Sequence, residues 1–300
     1  MSKWTKLAGV ALAFGIAQPA MAANCATVSF STLSLPEFDP ISGTYVQTIT
    51  ANVTSVDNQA GVANFILVDN ETGPLQIGLS GPEYNITSSG STIIFPNGRT
   101  IADNHEGAQV NLSNNFGSVP LTLTVTNNSR SDFVGGMGFS EPFKYSIQCY
   151  KNATGSGNGV VLKKDENQTG LALPITIKKV ASFSTASPQT INFGNFTTLS
   201  QQIQIGLKST SSINVNVQTA NINQMVLAGA VSPYPTNSTI PYSMTLNGAS
   251  VSNGTNLTNQ TRAGVAGMNW PLVLSLPSLP TGKIAGSYSD TITLTLTAGI

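Results

Sequence analysis

The feature that most constrains this chain is a period-2 alternation of apolar and polar residues that recurs along most of its length. Near the C-terminus Ile292, Leu294 and Leu296 alternate with Thr291, Thr293, Thr295 and Thr297. The same pattern appears in Ile203, Ile205 and Leu207, in Ile213, Val215 and Val217, and in Leu171, Leu173, Ile175 and Ile177. Successive side chains of a strand point to opposite faces, so each run buries one face and wets the other. Further runs of strand type are Tyr45 to Val53, Ala63 to Val68, Leu75 to Leu79, Tyr84 to Thr87 and Thr92 to Phe95. Val119 to Thr126, Phe143 to Cys149, Ile240 to Leu246 and Trp270 to Leu276 complete the series. Short strands parted by polar turns, with no helical period after the N-terminal segment, predict an all-β protein of Ig-like β-sandwich domains. A parallel α/β enzyme fold does not fit.

The N-terminal segment is of another kind. Lys3 and Lys6 precede the apolar stretch Leu7 to Ala17, and Ala20-Met21-Ala22 has the small-x-small form of a signal-peptidase site. Residues 1–23 read as a secretory signal peptide, and the run is shorter than the roughly 18 apolar residues a membrane span needs. The mature chain, starting at Ala23 or Asn24, is expected to be exported into an oxidising space.

About 277 mature residues suit two domains, each large enough for a core of its own. After Leu171 to Ile177, the sequence Lys178-Lys179-Val180 leads into Ser182 to Pro188, a Ser/Thr/Ala/Pro stretch without a strong period. That places an N-terminal domain at residues 24–180 and a C-terminal domain at 181–300. Without Lys3 and Lys6 the chain carries 11 basic and 13 acidic residues. A near-neutral chain without basic clusters gives no footprint for nucleic acid or for an anionic membrane.

Catalytic constellations are absent from the sequence. His105 is the single histidine, in the polar stretch Asp103-Asn104-His105-Glu106, and reads as a solvated loop residue. HExxH, GxSxG and P-loop patterns do not occur, and the acidic residues are dispersed. No enzyme activity, metal or cofactor is expected. The Asn-x-Ser/Thr triplets, such as Asn52-Val53-Thr54 and Asn237-Ser238-Thr239, follow from the abundance of Asn and Thr. Cys25 and Cys149 are the only cysteines and lack CxxC spacing. In an exported chain they are expected to form a disulfide.

Several segments resemble the spore-coat-U-like pilins of archaic chaperone–usher pili. Leu35-Pro36-Glu37-Phe38-Asp39-Pro40-Ile41-Ser42-Gly43 is similar to the turn that opens those pilins, without its Phe-Gly pair. Ile191-Asn192-Phe193-Gly194 and Ile240-Pro241-Tyr242-Ser243-Met244-Thr245-Leu246-Asn247-Gly248 resemble the opening and central strands. Gly286-Ser287-Tyr288-Ser289-Asp290-Thr291-Ile292-Thr293-Leu294 resembles the closing Gly-x-Tyr-x-Asp-x-hydrophobic-Thr pattern, the most specific of the matches. The resemblance spans the C-terminal domain and the start of the N-terminal one. It departs near Ser55, where the family usually has the partner of its first cysteine.

What the resemblance implies is a C-terminal sandwich lacking its final strand. The donor-strand groove would lie beside Ile292, Leu294 and Leu296. A periplasmic pilus chaperone would lend a strand during export, the outer-membrane usher would receive the complex, and the adjacent pilin would then supply a strand of its own. The N-terminal domain has Leu171 to Ile177 to complete itself. Only two or three mature residues precede Cys25, so the chain is expected to accept a strand and not to give one. That is the position of a tip adhesin on the cell surface, mediating attachment to an abiotic or host surface and biofilm formation. The loop Asp132 to Phe139, with Phe133, Val134, Met137 and Phe139 between glycines, is the first candidate contact. Phe116 and the Ile93-Ile94-Phe95-Pro96 turn are the alternatives. Competing readings are a non-adhesive minor pilin or tip initiator, and a self-contained secreted β-sandwich coat protein.

Overall fold

The computed structural model describes residues 25–299 apart from 32–36, 57, 59, 70–74, 78–79, 97–100, 102–105, 127–131 and 152–159. The signal segment and His105 lie outside the described residues. The architecture is all-β, and a single 3-10 turn at Thr236–Ser238 is the one helical element among the described residues. Two large hydrophobic clusters divide the molecule. One has Ile177 as its last member, and the other gathers residues from Ala181 onwards.

In the N-terminal sandwich, one sheet runs in the order β1 (Ala26–Phe30), β2 (Thr44–Ser55), β8 (Phe116–Thr126), β4 (Glu83–Ser88) and β5 (Ser91–Thr92). The facing sheet runs β10 (Val160–Thr176), β9 (Gly138–Lys151), β3 (Ala60–Val68) and β6 (Ile94–Phe95), with β7 (Ala108–Asn111) also paired to β3. Ile49, Ala51 and Val53 of one sheet and Phe65, Leu67 and Ile147 of the other fill the space between. Alternation makes this possible: β8 turns Val119, Leu121, Leu123 and Val125 inward and its Ser and Thr residues outward. A disulfide joins Cys25, just ahead of β1, to Cys149 of β9 in the other sheet, with Cα atoms 6.0 Å apart. The Val28 N–H donates across the core to the Tyr145 hydroxyl at 3.2 Å. At the far end of β10, Phe38 closes the edge, its N–H donating to the Thr176 carbonyl and its carbonyl accepting from Lys178, both at 2.8 Å.

The C-terminal sandwich has a sheet ordered β11 (Ala181–Phe183), β12 (Ser200–Ser209), β19 (Gly264–Ser275), β16 (Ser243–Leu246) and β17 (Ala249–Val251). Opposite it stand β18 (Asn256–Gln260), β13 (Ile213–Thr219) and β21 (Ile292–Ala298). A small sheet of β15 (Thr239–Pro241), β14 (Gln224–Leu227) and β20 (Tyr288–Ser289) continues it at the end away from the N-terminal sandwich. Trp270, Leu272 and Leu274 of β19 pack against Ile213, Val215 and Val217 of β13.

The structure differs from the periodicity in places that have physical causes. Leu75 to Ile77 forms no strand, with Gly78 and Leu79 outside the described residues: Gln76 makes one isolated bridge to Glu83, and the Ile77 N–H turns back to the Pro82 carbonyl. Ile240 to Leu246 divides at Tyr242: β15 pairs with β14, β16 pairs with β19, and the Tyr242 N–H donates to the Asn223 carbonyl at 3.1 Å. The first half of β10, Val160 to Gly170, lacks clean alternation because it is an edge strand with register shifts after Val161, Asp165 and Thr169.

Candidate functional site

The two sheets of the C-terminal sandwich part along one side and leave a groove of about 580 Å³ with an apolar floor and polar residues along its rims. Its floor is Ile203 and Ile205 of β12 with Leu272 and Leu274 of β19; its rims are the segment Thr185 to Phe193 and the strand β21. That first rim forms no strand, and residues 184–190 are largely exposed. β21 pairs with β13 on one side, and among the described residues no strand pairs with its other edge.

The burial of the two partners in that ladder is unequal. Ile213, Val215 and Val217 of β13 are fully covered, whereas Ile292, Leu294 and Leu296 of β21 alternate correctly but are only half-buried. Ile203 and Ile205 share this state. Complete burial of one Ile or Leu side chain is worth about 1.5–3 kcal/mol. Half-covering five of them forgoes several kcal/mol, a large part of the 5–15 kcal/mol that roughly separates folded from unfolded domains. Ile292 and Leu294 line the groove directly; Leu296 lies beyond it on the same face.

Polar groups fix the groove's outer end. The Tyr242 hydroxyl donates to Asp290 Oδ2 at 2.6 Å, and Asp290 Oδ1 accepts from the N–H groups of Asn221 at 3.0 Å and Thr291 at 2.8 Å. Burial, reinforced by the bond to the Asp290 carboxylate, pushes the Tyr242 phenol well above the ordinary tyrosine range, so it stays a donor. The Asp290 side chain therefore holds the entry to β21 in place. Of the Tyr-x-Asp spacing before this strand, Asp290 serves Tyr242, whereas the Tyr288 hydroxyl donates to the Ile284 carbonyl at 2.7 Å.

The N-terminal sandwich presents two ends. At the end that meets the C-terminal sandwich, the Gly135 N–H donates to the Thr210 carbonyl at 2.7 Å and Asp132 pairs with Arg262. This is where the loop Asp132 to Phe139 sits. Phe133 is only 2% exposed and belongs to the core, with Phe139 partly buried against it. Their rings meet edge-on at 6.1 Å. The two phenylalanines are core plugs and not exposed contacts, because the loop closes the sandwich at the junction. Val134 and Met137 remain exposed, beside that junction. Ile93 and Ile94 are buried and Phe95 is partly so.

The opposite end carries Phe116. It follows a tight turn in which Asn114 and Asn115 have φ of 53° and 62°, a conformation Asn tolerates. Phe116 pairs with Thr54, and the Ser55 N–H donates to the Asn115 carbonyl at 2.8 Å, which brings the turn beside Val56. Phe116 is 50% exposed and Val56 59%. The sequence offered Phe116 only as an alternative, and Val56 carried no signal of its own.

Among the described residues no group of three or more His, Cys, Asp or Glu side chains is placed to hold a metal ion. No helix among them is long and apolar enough to cross a membrane.

No family model matches the chain. No curated protein matches it either. Several solved structures are similar to it. One is the CsuC–CsuE chaperone–tip adhesion subunit pre-assembly complex from archaic Csu pili of Acinetobacter baumannii. The identity is 14% and the TM-score 0.47, with 90% of this chain and 100% of that chain covered. Another is the CupB6 tip adhesin from Pseudomonas aeruginosa, at 10% identity and a TM-score of 0.34, covering 91% and 94%. A third is the CfaE adhesin of CFA/I from enterotoxigenic E. coli, at 11% identity and a TM-score of 0.30, covering 89% and 90%.

Proposed function

We propose that this chain is the tip subunit of a chaperone–usher pilus, built to attach the fibre to a surface. The observation that carries the proposal is the open edge of β21 above a half-covered groove with an apolar floor. A strand added there would bond to the free N–H and C=O groups of β21 and lay alternate apolar side chains over Ile203, Ile205, Ile292 and Leu294. The resemblance of the Tyr288 to Leu294 segment to the closing strand of the spore-coat-U-like pilins supports the same reading. In it, a periplasmic chaperone fills the groove first, the usher takes the complex, and the adjacent pilin replaces the chaperone's strand. The protein passes through the periplasm to the cell surface.

The N-terminal sandwich, residues 24–180 in this reading, is the adhesive part. Its outer end offers Phe116 and Val56 as apolar contacts for abiotic or host surfaces, in keeping with a role in biofilm formation. In this reading the chain is not an enzyme.

The test is co-production. The full chain made alone in the periplasm is expected to aggregate or be degraded, since its unpaired edge and open core face attract other strands. Co-production of its chaperone, or fusion of a linker and an alternating apolar segment after Ile300, is expected to restore a soluble monomer. A full chain that is soluble, monomeric and cooperatively folded without help would overturn the proposal.

A further inference from the structure

We infer that the outer pole of the C-terminal sandwich is a second contact surface, which seats the globular body of the chain whose strand fills the groove. The inference rests on the reading of the groove as a strand acceptor. The pole is built from two loops, residues 228–238 between β14 and β15 and residues 276–287 between β19 and β20. On them stand Val231, 80% exposed, and the exposed Tyr234, Leu279 and Ile284; Leu199, beside them through the Leu276 N–H to Leu199 carbonyl bond, is exposed as well.

These loops are held, not loose. The Ile284 N–H donates to the Asn237 carbonyl at 3.0 Å, and the Tyr288 hydroxyl bridges the carbonyls of Asn237 and Ile284 at 3.1 and 2.7 Å. Pro233, Pro235, Pro277 and Pro280 stiffen them further. Lys283 is their only charged residue, and its ammonium is bonded to the Thr236 carbonyl at 2.6 Å. A fixed surface with a single charge and several exposed large apolar side chains has the composition of an interface core.

Its position names the occupant. Tyr288 and Ser289 belong both to the groove lining and to the strand that emerges from the second loop, so groove and pole are one continuous surface. The opposite end of the C-terminal sandwich is taken by the N-terminal one, through Thr210 and Arg262. A donor strand therefore has its free route at the outer pole, and the domain to which it is tethered comes to rest against Val231, Tyr234 and Ile284. Strand addition supplies the main bonds, and the pole would set which donor body fits.

Site-specific photocrosslinking in assembled fibres tests this. The full chain is made in its native cell with a benzophenone side chain at Thr190 on the groove rim, at Val231 or Ile284 on the pole, or at Val46 as an exposed control on the N-terminal sandwich. Fibres sheared from the cells are irradiated and the joined peptides sequenced. The expected result is that Thr190 captures an alternating apolar segment, and that Val231 and Ile284 capture the globular part of that same chain, while Val46 captures neither. Capture at Thr190 with none, or with an unrelated chain, at Val231 and Ile284 would overturn the inference and leave the groove reading standing. No capture at Thr190 would remove both.

Discussion

Asp132 and Arg262, 130 positions apart in the chain, meet as a bidentate pair at the junction of the two sandwiches, with Nη1 donating to Oδ1 at 2.7 Å and Nη2 to Oδ2 at 2.5 Å. Around the pair, the Val265 N–H donates to Asp132 Oδ1 at 3.1 Å and Arg262 Nη1 to the Phe133 carbonyl at 3.3 Å. Thr210 adds a second fastening. Its hydroxyl donates to the Lys178 carbonyl at 2.7 Å and accepts from the Val180 N–H at 2.9 Å, while its carbonyl takes the Gly135 N–H. The connecting segment Lys178–Val180 is thus bonded on both sides, so pull applied to one sandwich passes to the other through fixed contacts.

The junction should loosen in acid. The Asp132 carboxyl is held below the usual carboxylate range, first by the hydrogen bond from Arg262, with burial opposing. A lowered folded pKa means that the pair contributes fully above the unfolded value of about 4 and is lost as pH falls through the lower folded value. Both side chains are partly exposed, so Arg262→Ala should cost at most about 1 kcal/mol in stability. Its clearer effect is on orientation. Residual dipolar couplings should report one shared alignment for the two sandwiches at pH 7, and separate alignments in Arg262→Ala or at pH 2. Identical couplings in the variant would show that the pair does not set the joint.

The disulfide should matter to one sandwich only. Cys25 and Cys149 are 124 positions apart, and closing a loop of that size stabilises by about 2–5 kcal/mol. Cys149→Ser should lower the unfolding midpoint of the N-terminal sandwich and leave the signal of Trp270, in the other core, unchanged. Stoichiometric thiol labelling of the native protein without reductant would contradict the bond.

Phe116 and Phe133 should separate adhesion from folding. Phe116→Ser with Val56→Ser removes two exposed side chains and should reduce attachment to apolar surfaces at normal fibre number and stability. Attachment by the unaltered protein should persist in high salt, since it does not rest on long-range charge. Phe133→Ala empties a core position and should cost about 3–5 kcal/mol. Unchanged attachment by the Phe116 and Val56 double variant would move the contact elsewhere.

Much of the fold was legible where one face of a strand is apolar. Ile213 to Val217 and Ile292 to Leu296 alternate in sequence and form the ladder of β13 and β21 in the structure. The apolar face of β21 was legible for the same reason, whereas the expectation of a groove beside it came from the pilin resemblance of the Tyr288 to Leu294 segment. That the face is only half-covered depends on which strands lie opposite, and spacing along one chain does not carry that. The loop Asp132 to Phe139 misled because its glycines read as freedom. A Cβ on Gly135 would sit 2.9 Å from Lys179 Cα, so this glycine permits close packing at the junction. The Asp132–Arg262 pair left no local trace, being made wholly by tertiary approach.

Amide hydrogen exchange along β21 decides whether its outer edge is open. The full chain, released from its chaperone under mild denaturant, is measured with and without a synthetic peptide that alternates apolar and polar residues. The β21 amides pointing away from β13 should exchange rapidly in the free chain, become protected when the peptide is added, and stay unprotected with a peptide whose apolar positions are Asp. Full protection of every β21 amide in the free monomer, unchanged by the peptide, would contradict an open edge.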